Sequence, residues 1–454
     1  MKKKILSACS LAIVCTFANH SALAAVSPEQ AEQLGSSLTP TGAEANGNAD
    51  GSIPAWTGGL PKNSGTLSAE GFLSNPFASE QPLFTITSQN MTQYQDKLSP
   101  GQQAMLKRYS TYQIPVYSSH RSASLPEEIY KAAKENATKT KMIEGGNGLE
   151  DFSTAIPFPI PQNGLEVLWN HITRYRGGSA KRSHVQATPL ASGRFVPVYF
   201  KQQFTFRDRI KDFDPANPGN VLFYYKQLVT APARQAGDVV LVHETLNQVK
   251  EPRMAWIYNS GQRRVRRAPQ IAYDGPYPAS EGQRVADNLD MYNGAADRYD
   301  WKLIGKREIY IPYNSFKLDS PKLKYTDIVQ PGHLNPAYTR YELHRVWQVE
   351  GTLKKGERHI YAKRVFFIDE DSWQIALADH YDSRNTLWRV AEGHMTPLYD
   401  VQVPWLGVEV LYDLINGRYI VSGMRNEEKD PVEFGFSSLS SEYTPAALRN
   451  AGIR

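Results

Sequence analysis

His359-Ile-Tyr361-Ala-Lys363-Arg364-Val-Phe366-Phe367-Ile368-Asp369-Glu-Asp-Ser372-Trp373-Gln-Ile-Ala-Leu-Ala-Asp379-His380-Tyr381 reads as two β-strands joined by a polar tetrapeptide. Along His359–Ile368 the side chains alternate in period 2. Ile360, Ala362, Phe366 and Ile368 face one way, and Tyr361, Lys363, Val365 and Phe367 the other. Both faces carry apolar or aromatic groups. Either other parts of the chain cover both faces, or one face lines a ligand cavity; the covered sheet is the preferred reading.

Working outward, the same signature recurs at Arg194–Phe206, Val221–Thr230, Val239–Asn247, Arg253–Tyr258, Arg263–Arg267, Trp301–Ile311, Tyr338–Leu353, Leu387–His394, Val408–Asp413 and Arg418–Met424. Asn259-Ser260-Gly261, Lys354-Lys355-Gly356 and Asn416-Gly417 are the turn sequences between some of them. No βαβ rhythm and no fixed repeat is visible. The expected fold is mainly β (α+β): one large, curved antiparallel sheet or incomplete barrel, with N-terminal helices and an extended arm. The 25 Tyr, 17 Phe and 8 Trp suit such a sheet.

Before Gly164 the reading differs. Ser27-Pro28-Glu29-Gln30 is a capping box opening a helix to about Leu34. From Gly35 to Phe84 the chain is rich in Gly, Pro, Ser and Asn and reads as an extended arm laid over something else. Helices are predicted over Ser88–Leu98, over Pro100–Tyr109 with Ser99 as N-cap, and from Pro126 to about Thr138. Leu165–Tyr175, with its aromatic and β-branched residues, marks a change of character toward the strands. The division expected is 25–163 for arm and helices, packing on the sheet, and 164–454 for the sheet itself.

Residues 1–24 read as an export signal: Lys2, Lys3 and Lys4, a short apolar run, then Ala22-Leu23-Ala24 before the cleavage point. Leu6-Ser7-Ala8-Cys9 resembles a lipobox, but only Ile5 and Leu6 separate it from the lysines and the apolar core runs on past it, which argues against lipidation at Cys9. Cleavage takes both cysteines, Cys9 and Cys15, and leaves 430 residues with a formal charge of +2 in place of +5. A mature chain without Cys has no disulfide, thiol nucleophile or thiolate metal site. The expected location is the periplasm, and the mild charge excludes nucleic acid as a partner.

No G-x-S-x-G, H-E-x-x-H, G-x-G-x-x-G, P-loop or C-x-x-C occurs, so no cofactor, metal or catalytic residue is assigned. Asp379 and His380, adjacent in a strand, point to opposite faces. Asn46-x-Asn48-x-Asp50-Gly51 has a calcium-loop rhythm but carries Thr57 where Glu is needed, so it reads as a turn presenting Trp56. Asp369-Glu370-Asp371 reads as a solvated hairpin tip. The densest signal is Trp256-Ile-Tyr258-Asn-Ser-Gly261-Gln-Arg263-Arg264-Val-Arg266-Arg267. Its arginines need carboxylates or an anionic ligand. An internal network with Asp287, Asp290, Asp297 and Asp300 is the preferred reading. The other is a site for phosphate or carboxylate head groups at the mouth of an apolar groove.

Leu165-Glu-Val-Leu-Trp169-Asn170-His171, Trp256 through Pro269, Leu289-Asp290-Met-Tyr292-Asn293-Gly294, Asp300-Trp301-Lys302-Leu303, Tyr310-Ile-Pro312-Tyr313-Asn314 and Asp50-Gly51-Ser-Ile-Pro54-Ala-Trp56 resemble a bacterial family catalogued as domain of unknown function 1329. That family is often labelled outer-membrane lipoprotein-sorting-like and looks related to LolA/LolB-type carriers. The resemblance implies an incomplete antiparallel barrel whose helices close a hydrophobic cavity. It further implies a periplasmic carrier or adaptor for a lipid or other hydrophobic ligand, working beside a resistance–nodulation–division-type inner-membrane transporter and an outer-membrane barrel protein. Ligand-binding candidates are Trp169, His171, Trp256, Tyr258, Arg263, Arg264, Arg266, Arg267 and Tyr292. Two alternatives stand beside the carrier: a structural bridge between transporter and barrel, and an enzyme acting on an envelope lipid or polymer. The enzyme would need His171 or another His within reach of Tyr or Asp in an open cleft.

Overall fold

The computed structural model describes residues 26–452, so the proposed export signal and Cys9 lie outside the described residues. The chain begins with α1 (Pro28–Ala31), closed by the expected capping box, and a long arm without regular structure. It continues through β1 (Phe84–Ile86), α2 (Pro100–Arg108), β2 (Ile114–Tyr117), α3 (Glu127–Lys139), the small hairpin β3 (Lys141–Ile143) and β4 (Gly148–Glu150), and α4 (Gly164–Thr173). Strands follow: β5 (Ser179–Ala187), β6 (Val198–Phe206), β7 (Val221–Ala231), β8 (Val239–Thr245), β9 (Met254–Asn259), β10 (Arg264–Arg267) and β11 (Tyr299–Pro312). After α5 (Tyr325–Ile328) come β12 (Tyr341–Leu353), β13 (Lys363–Asp369), β14 (Ile375–Tyr381), β15 (Leu387–Leu398), β16 (Val403–Asp413), β17 (Tyr419–Met424), β18 (Glu433–Phe434) and α6 (Pro445–Gly452).

Two antiparallel meanders, β5 to β10 and β11 to β17, together with β1, β2 and β18 make one 16-stranded sheet. Their seam is short: β17 meets β5 through Val421, Ser422 and Met424 against Ala187, Gln186 and Val185. The sheet is mixed because β2 joins β12 in parallel at Tyr341 and Glu342. It curls without closing. Phe366 on β13 and Tyr225 on β7, far apart in strand order, belong to one buried cluster, which requires a hollow face.

Helix α4 sits in that hollow. Val167, Leu168, Trp169 and Ile172 are buried in the same cluster. At about 1.5–3 kcal/mol for each such side chain, their burial is a large part of what holds the hollow together. The strand-like composition of Leu165–Tyr175 is thus a correction. Asn163 caps the segment by accepting the Glu166 N–H at 3.0 Å, and Glu166 returns a bond to the Asn163 side chain at 2.9 Å. Its polar Glu166, Asn170 and His171 are buried along with its apolar residues, so no exposed polar face marks it as a surface helix.

The opposite face is covered too. Met105 and Leu106 of α2 pack with Val390, Val408, Val410, Tyr412 and Val421. Helix α6 covers Val239, Leu241 and Tyr258. The arm is pinned by hydrogen bonds from Trp373 Nε1 to Thr41 O at 3.0 Å and from Arg345 Nη2 to Asn46 O at 2.7 Å.

Two further expectations need correction. Ser88–Leu98 forms two separate 3₁₀ turns, Met91–Gln93 and Gln95–Lys97, because the Asn90 side chain bonds Thr87 N and Thr85 O instead of capping a helix. Asp369, Glu370 and Asp371 are no solvated tip. The arm buries them, and they bind Arg121, Arg345 and Lys306, with Arg121 Nη2 2.6 Å from Asp371 and Arg345 Nε 2.7 Å from Glu370. The Asn46–Gly51 segment is a turn, with Asn48 Oδ1 accepting from Ile53 N at 2.9 Å and Asp50 Oδ1 from Ser52 N at 3.0 Å, and Asn48 Nδ2 ties it to Glu308 at 3.1 Å.

Candidate functional site

At the C-terminal end of α4 the chain turns out of the helix as Arg174-Tyr175-Arg176. Both arginines fold back on it. Arg174 Nη1 donates to His171 O at 2.8 Å and Arg176 Nη2 to Ile172 O at 2.9 Å, satisfying carbonyls a helix end leaves open. Both also grip Asp290. Arg174 donates to its two oxygens at 2.5 and 3.0 Å, and Arg176 Nη1 to Oδ2 at 2.5 Å. Burial alone would raise the Asp290 carboxyl, but the two guanidiniums outweigh it and hold it down to about 2.

Asp290 belongs to the Val285–Gly294 segment, which crosses the hollow. Arg284 Nη1 lies 2.5 Å from Glu409, and Glu409 Oε2 accepts from Met291 N at 3.1 Å. Asp290 and Met291 both have left-handed backbone, at φ 60° and 66°. Two successive non-glycine residues in that region are strained and need their surroundings to hold them.

Between this segment, the Arg174–Arg176 turn and the strands lies a cavity. Phe204, Phe223, Tyr225, Trp405 and Leu406 supply apolar walls, while Arg174, Arg176, Arg182, Asp290 and Glu409 supply charge. Arg182, on β5, donates Nε to Gln202 at 2.6 Å and stacks over Trp405 with 5.0 Å to the ring centre. It has no carboxylate within 4.0 Å among the described residues. Burial, opposed by Asp290, pushes Arg176 down to about 10. Only about 60 Å³ is open to a water-sized sphere, enough for a few waters, where an ordinary small-molecule site has about 300 Å³ or more. Two larger grooves lie elsewhere: about 620 Å³ beside Lys181, Lys201 and Lys226, and about 550 Å³ between the arm at Phe72–Gln81 and Phe316–Lys322.

The sequence-derived candidates fall in two places. Trp169, His171 and Tyr292 enter the hollow. Trp169 Nε1 donates to Gly146 O at 2.8 Å, and the Tyr292 hydroxyl to Ala295 O at 2.9 Å. His171 is fully buried: its Nδ1 accepts from Ile375 N at 3.1 Å, which leaves Nε2 to donate to Asp290 O at 3.1 Å. Burial and Arg174 push this imidazole down to about 3. Trp256 and Tyr258 lie beneath α6, on the face of the sheet opposite the cavity.

Arg263, Arg264, Arg266 and Arg267 are exposed at β10, the terminal strand of the sheet, with Arg263 in the turn at φ 51°. The expected network with Asp287, Asp290, Asp297 and Asp300 does not form, because the aspartates are committed or turned elsewhere. Asp287 binds Arg364 and His359, Asp290 binds Arg174 and Arg176, and Asp297 accepts from Tyr273. The cavity cations Arg174, Arg176 and Arg182 were missed. A signal existed in Lys181-Arg182-Ser183-His184-Val185-Gln186, a period-2 strand whose inward members are partly charged and therefore do not look apolar.

His344, Asp369 and Asp371 bring ligand atoms within 4.8 Å of one another. They do not suit a cation. Arg121 already clamps Asp371, and although burial would lower His344, Asp369 and Glu342 raise it to about 9, so the imidazole is a protonated partner of those carboxylates. Asp379 and His380 do diverge as expected. Asp379 accepts from Gly101 N at 3.0 Å, and the His380 ring stacks on Tyr361 with centres 4.4 Å apart.

An open, strongly curved, mostly antiparallel sheet with a helix lodged in its hollow and a charged cavity beside that helix defines the class of protein. Residues 85–449 match the family model described as "Protein of unknown function (DUF1329)", and the chain belongs to that family. It is 67% identical over 433 residues to an uncharacterized protein of Pseudomonas aeruginosa, covering 95% of each chain. Among solved structures it is similar to a DUF1329 family protein of Desulfovibrio piger, at 15% identity and TM-score 0.42, over 60% of this chain and 92% of that one. It is also similar to a candidate outer membrane lipoprotein-sorting protein domain of Vibrio parahaemolyticus, at 12% identity and TM-score 0.44, over 63% and 98%. A LolA superfamily protein of Nitrosomonas europaea gives 11% identity and TM-score 0.38, over 63% and 98%. Among the described residues no helix is long and apolar enough to cross a membrane.

Proposed function

We propose that the protein is a periplasmic carrier or adaptor that takes up a hydrophobic or lipid ligand in the hollow of its sheet during transport across the cell envelope. The observation that carries this reading is the aromatic-walled cavity beside α4, closed on one side by the strained Val285–Gly294 segment. With so little open volume, uptake requires that segment to move aside. Native mass spectrometry of protein purified from periplasm, followed by solvent extraction, tests the reading. One amphiphile per chain is the expected result. A bare mass, together with no uptake of any added amphiphile, overturns it.

The exposed arginines of β9–β10 favour a second role for the same molecule. Four guanidiniums without carboxylate partners among the described residues, at a sheet edge, are a surface for an anionic partner, as a bridge between transporter and outer-membrane barrel requires. Stoichiometric co-purification with an envelope protein, lost when these arginines become serine, would favour the bridge over the shuttle.

A further inference from the structure

Charge in the cavity is out of balance. Arg174 and Arg176 share one carboxylate, Asp290; Glu409 is committed to Arg284; and Arg182 has none. Hydrogen bonding is out of balance in the same direction. Among the described residues, Nε of Arg174 and Nε of Arg176 are buried without an acceptor. Orphaned guanidinium nitrogens also occur at Arg209, Arg364 and Arg425, so it is the clustering of two of them beside Arg182 and an apolar cavity that marks a place where an anion fits. The walls beside them are aromatic: the Arg176 guanidinium lies 5.7, 5.1 and 5.4 Å from the ring centres of Phe204, Phe206 and Phe223. A ligand complementary to such a site has an anionic head and an apolar tail.

We infer that Arg174, Arg176 and Arg182 form a head-group subsite for an amphiphile ending in a carboxylate or phosphate, and that this anion takes the place of the Asp290 carboxylate. Asp290 is then an internal stand-in for the ligand. It offers the same planar, two-oxygen geometry to Arg174 that a ligand carboxylate would. It holds that position only with its own backbone and that of Met291 in the left-handed region. Exchange with a ligand head keeps the arginines neutralised while the strained segment relaxes. This inference rests on the carrier reading and specifies the chemistry of the ligand.

The test uses the whole mature chain, stripped of bound lipid, and three probes: laurate, dodecanol and inorganic phosphate, each competing against a neutral fluorescent apolar dye. Asp290→Asn keeps the side-chain shape and removes the competing charge. It is expected to tighten laurate binding by about tenfold, leaving dodecanol unchanged. Arg182→Met leaves the Asp290 pairing intact and carries the test if Asp290→Asn does not fold; it is expected to weaken laurate by about tenfold and spare dodecanol. If laurate and dodecanol respond alike in every variant, the anionic subsite is overturned and the carrier reading stands. Phosphate binding without laurate binding overturns the amphiphile in favour of a small-anion site. If no probe binds any variant, the carrier reading fails and this inference with it.

Discussion

At the scale of single residues, the most consequential group outside the cavity is Arg364. Its side chain is fully buried between the rings of Tyr292, Tyr299 and Tyr361, with 5.3, 5.1 and 5.0 Å to their centres. Its carboxylate partner is Asp287, at 2.7 Å, which also binds His359 at 3.0 Å. Tyr361 N donates to His359 Nδ1 at 3.0 Å, and His359 Nε2 lies 2.8 Å from Arg364 Nη2 as well as 3.0 Å from Asp287. Removing Asp287 strands a buried charge. Asp287→Asn is expected to cost about 3–5 kcal/mol in urea unfolding. Adding Arg364→Met to that variant removes the stranded charge and restores more than half of the loss. A cost below about 1 kcal/mol for the single change would mean water reaches the guanidinium.

Among the elements, the seam between the two meanders is the weak point. There β17 carries a register shift between Ser422 and Met424, and Gly423 sits at φ +96°. A Cβ on Gly423 would lie 2.1 Å from Gly407 O on the neighbouring β16, so any side chain there would push β17 out of place beside its register shift with β5. Gly423→Ala combines that clash with a left-handed penalty of about 1–2 kcal/mol. Hydrogen exchange is expected to rise in β5–β8 while β12–β15 stay protected; uniform loss across both meanders would mean they unfold as one unit. This seam also marks the limit of what the sequence discloses. The strands of β12–β17 are legible because Val365, Phe366, Phe367 and Ile368 alternate between two apolar faces. Helix α4 is not, because it is buried all round, although Asn163 and Glu166 offered its cap. Ser179–Ala187 is not, because Lys181, Arg182 and Gln186 make a buried strand look like a polar loop. The arginine hairpin was conspicuous, yet sequence could not say which cations own Asp287 and Asp290. That depends on contacts across the hollow between residues more than 70 positions apart, such as Arg174–Asp290 and Arg364–Asp287.

For the whole molecule, the buried ionic groups make stability a function of pH, and their signs differ. His171 is depressed to about 3 and Asp290 to about 2. Stability from the neutral His171 is fully present above its ordinary 6.5 and lost as pH falls through 3; that from Asp290 is present above 3.8 and lost as pH falls through 2. Asp379, raised by burial to about 7, works the other way: its contribution is complete below 3.8 and lost as pH rises through 7. Between about pH 4 and 6.5 His171 and Asp379 therefore oppose each other, while His184 and His380, both held well below 6.5 by burial, act in the same direction as His171. Above that range His344 decides. Its folded value of about 9 against an ordinary 6.5 means that its contribution is complete below 6.5 and lost as pH rises through 9. At about 1.4 kcal/mol per pH unit, this amounts to a decline on the order of 3 kcal/mol, because deprotonation leaves Glu342 and Asp369 facing each other without the cation between them. His344→Gln starts less stable at pH 6 but should lose that alkaline decline, so the two unfolding curves converge toward pH 9. Parallel curves from pH 6 to 9 would show that His344 is neutral in the folded protein and that Arg121, Arg345 and Lys306 supply the cations of this cluster without it.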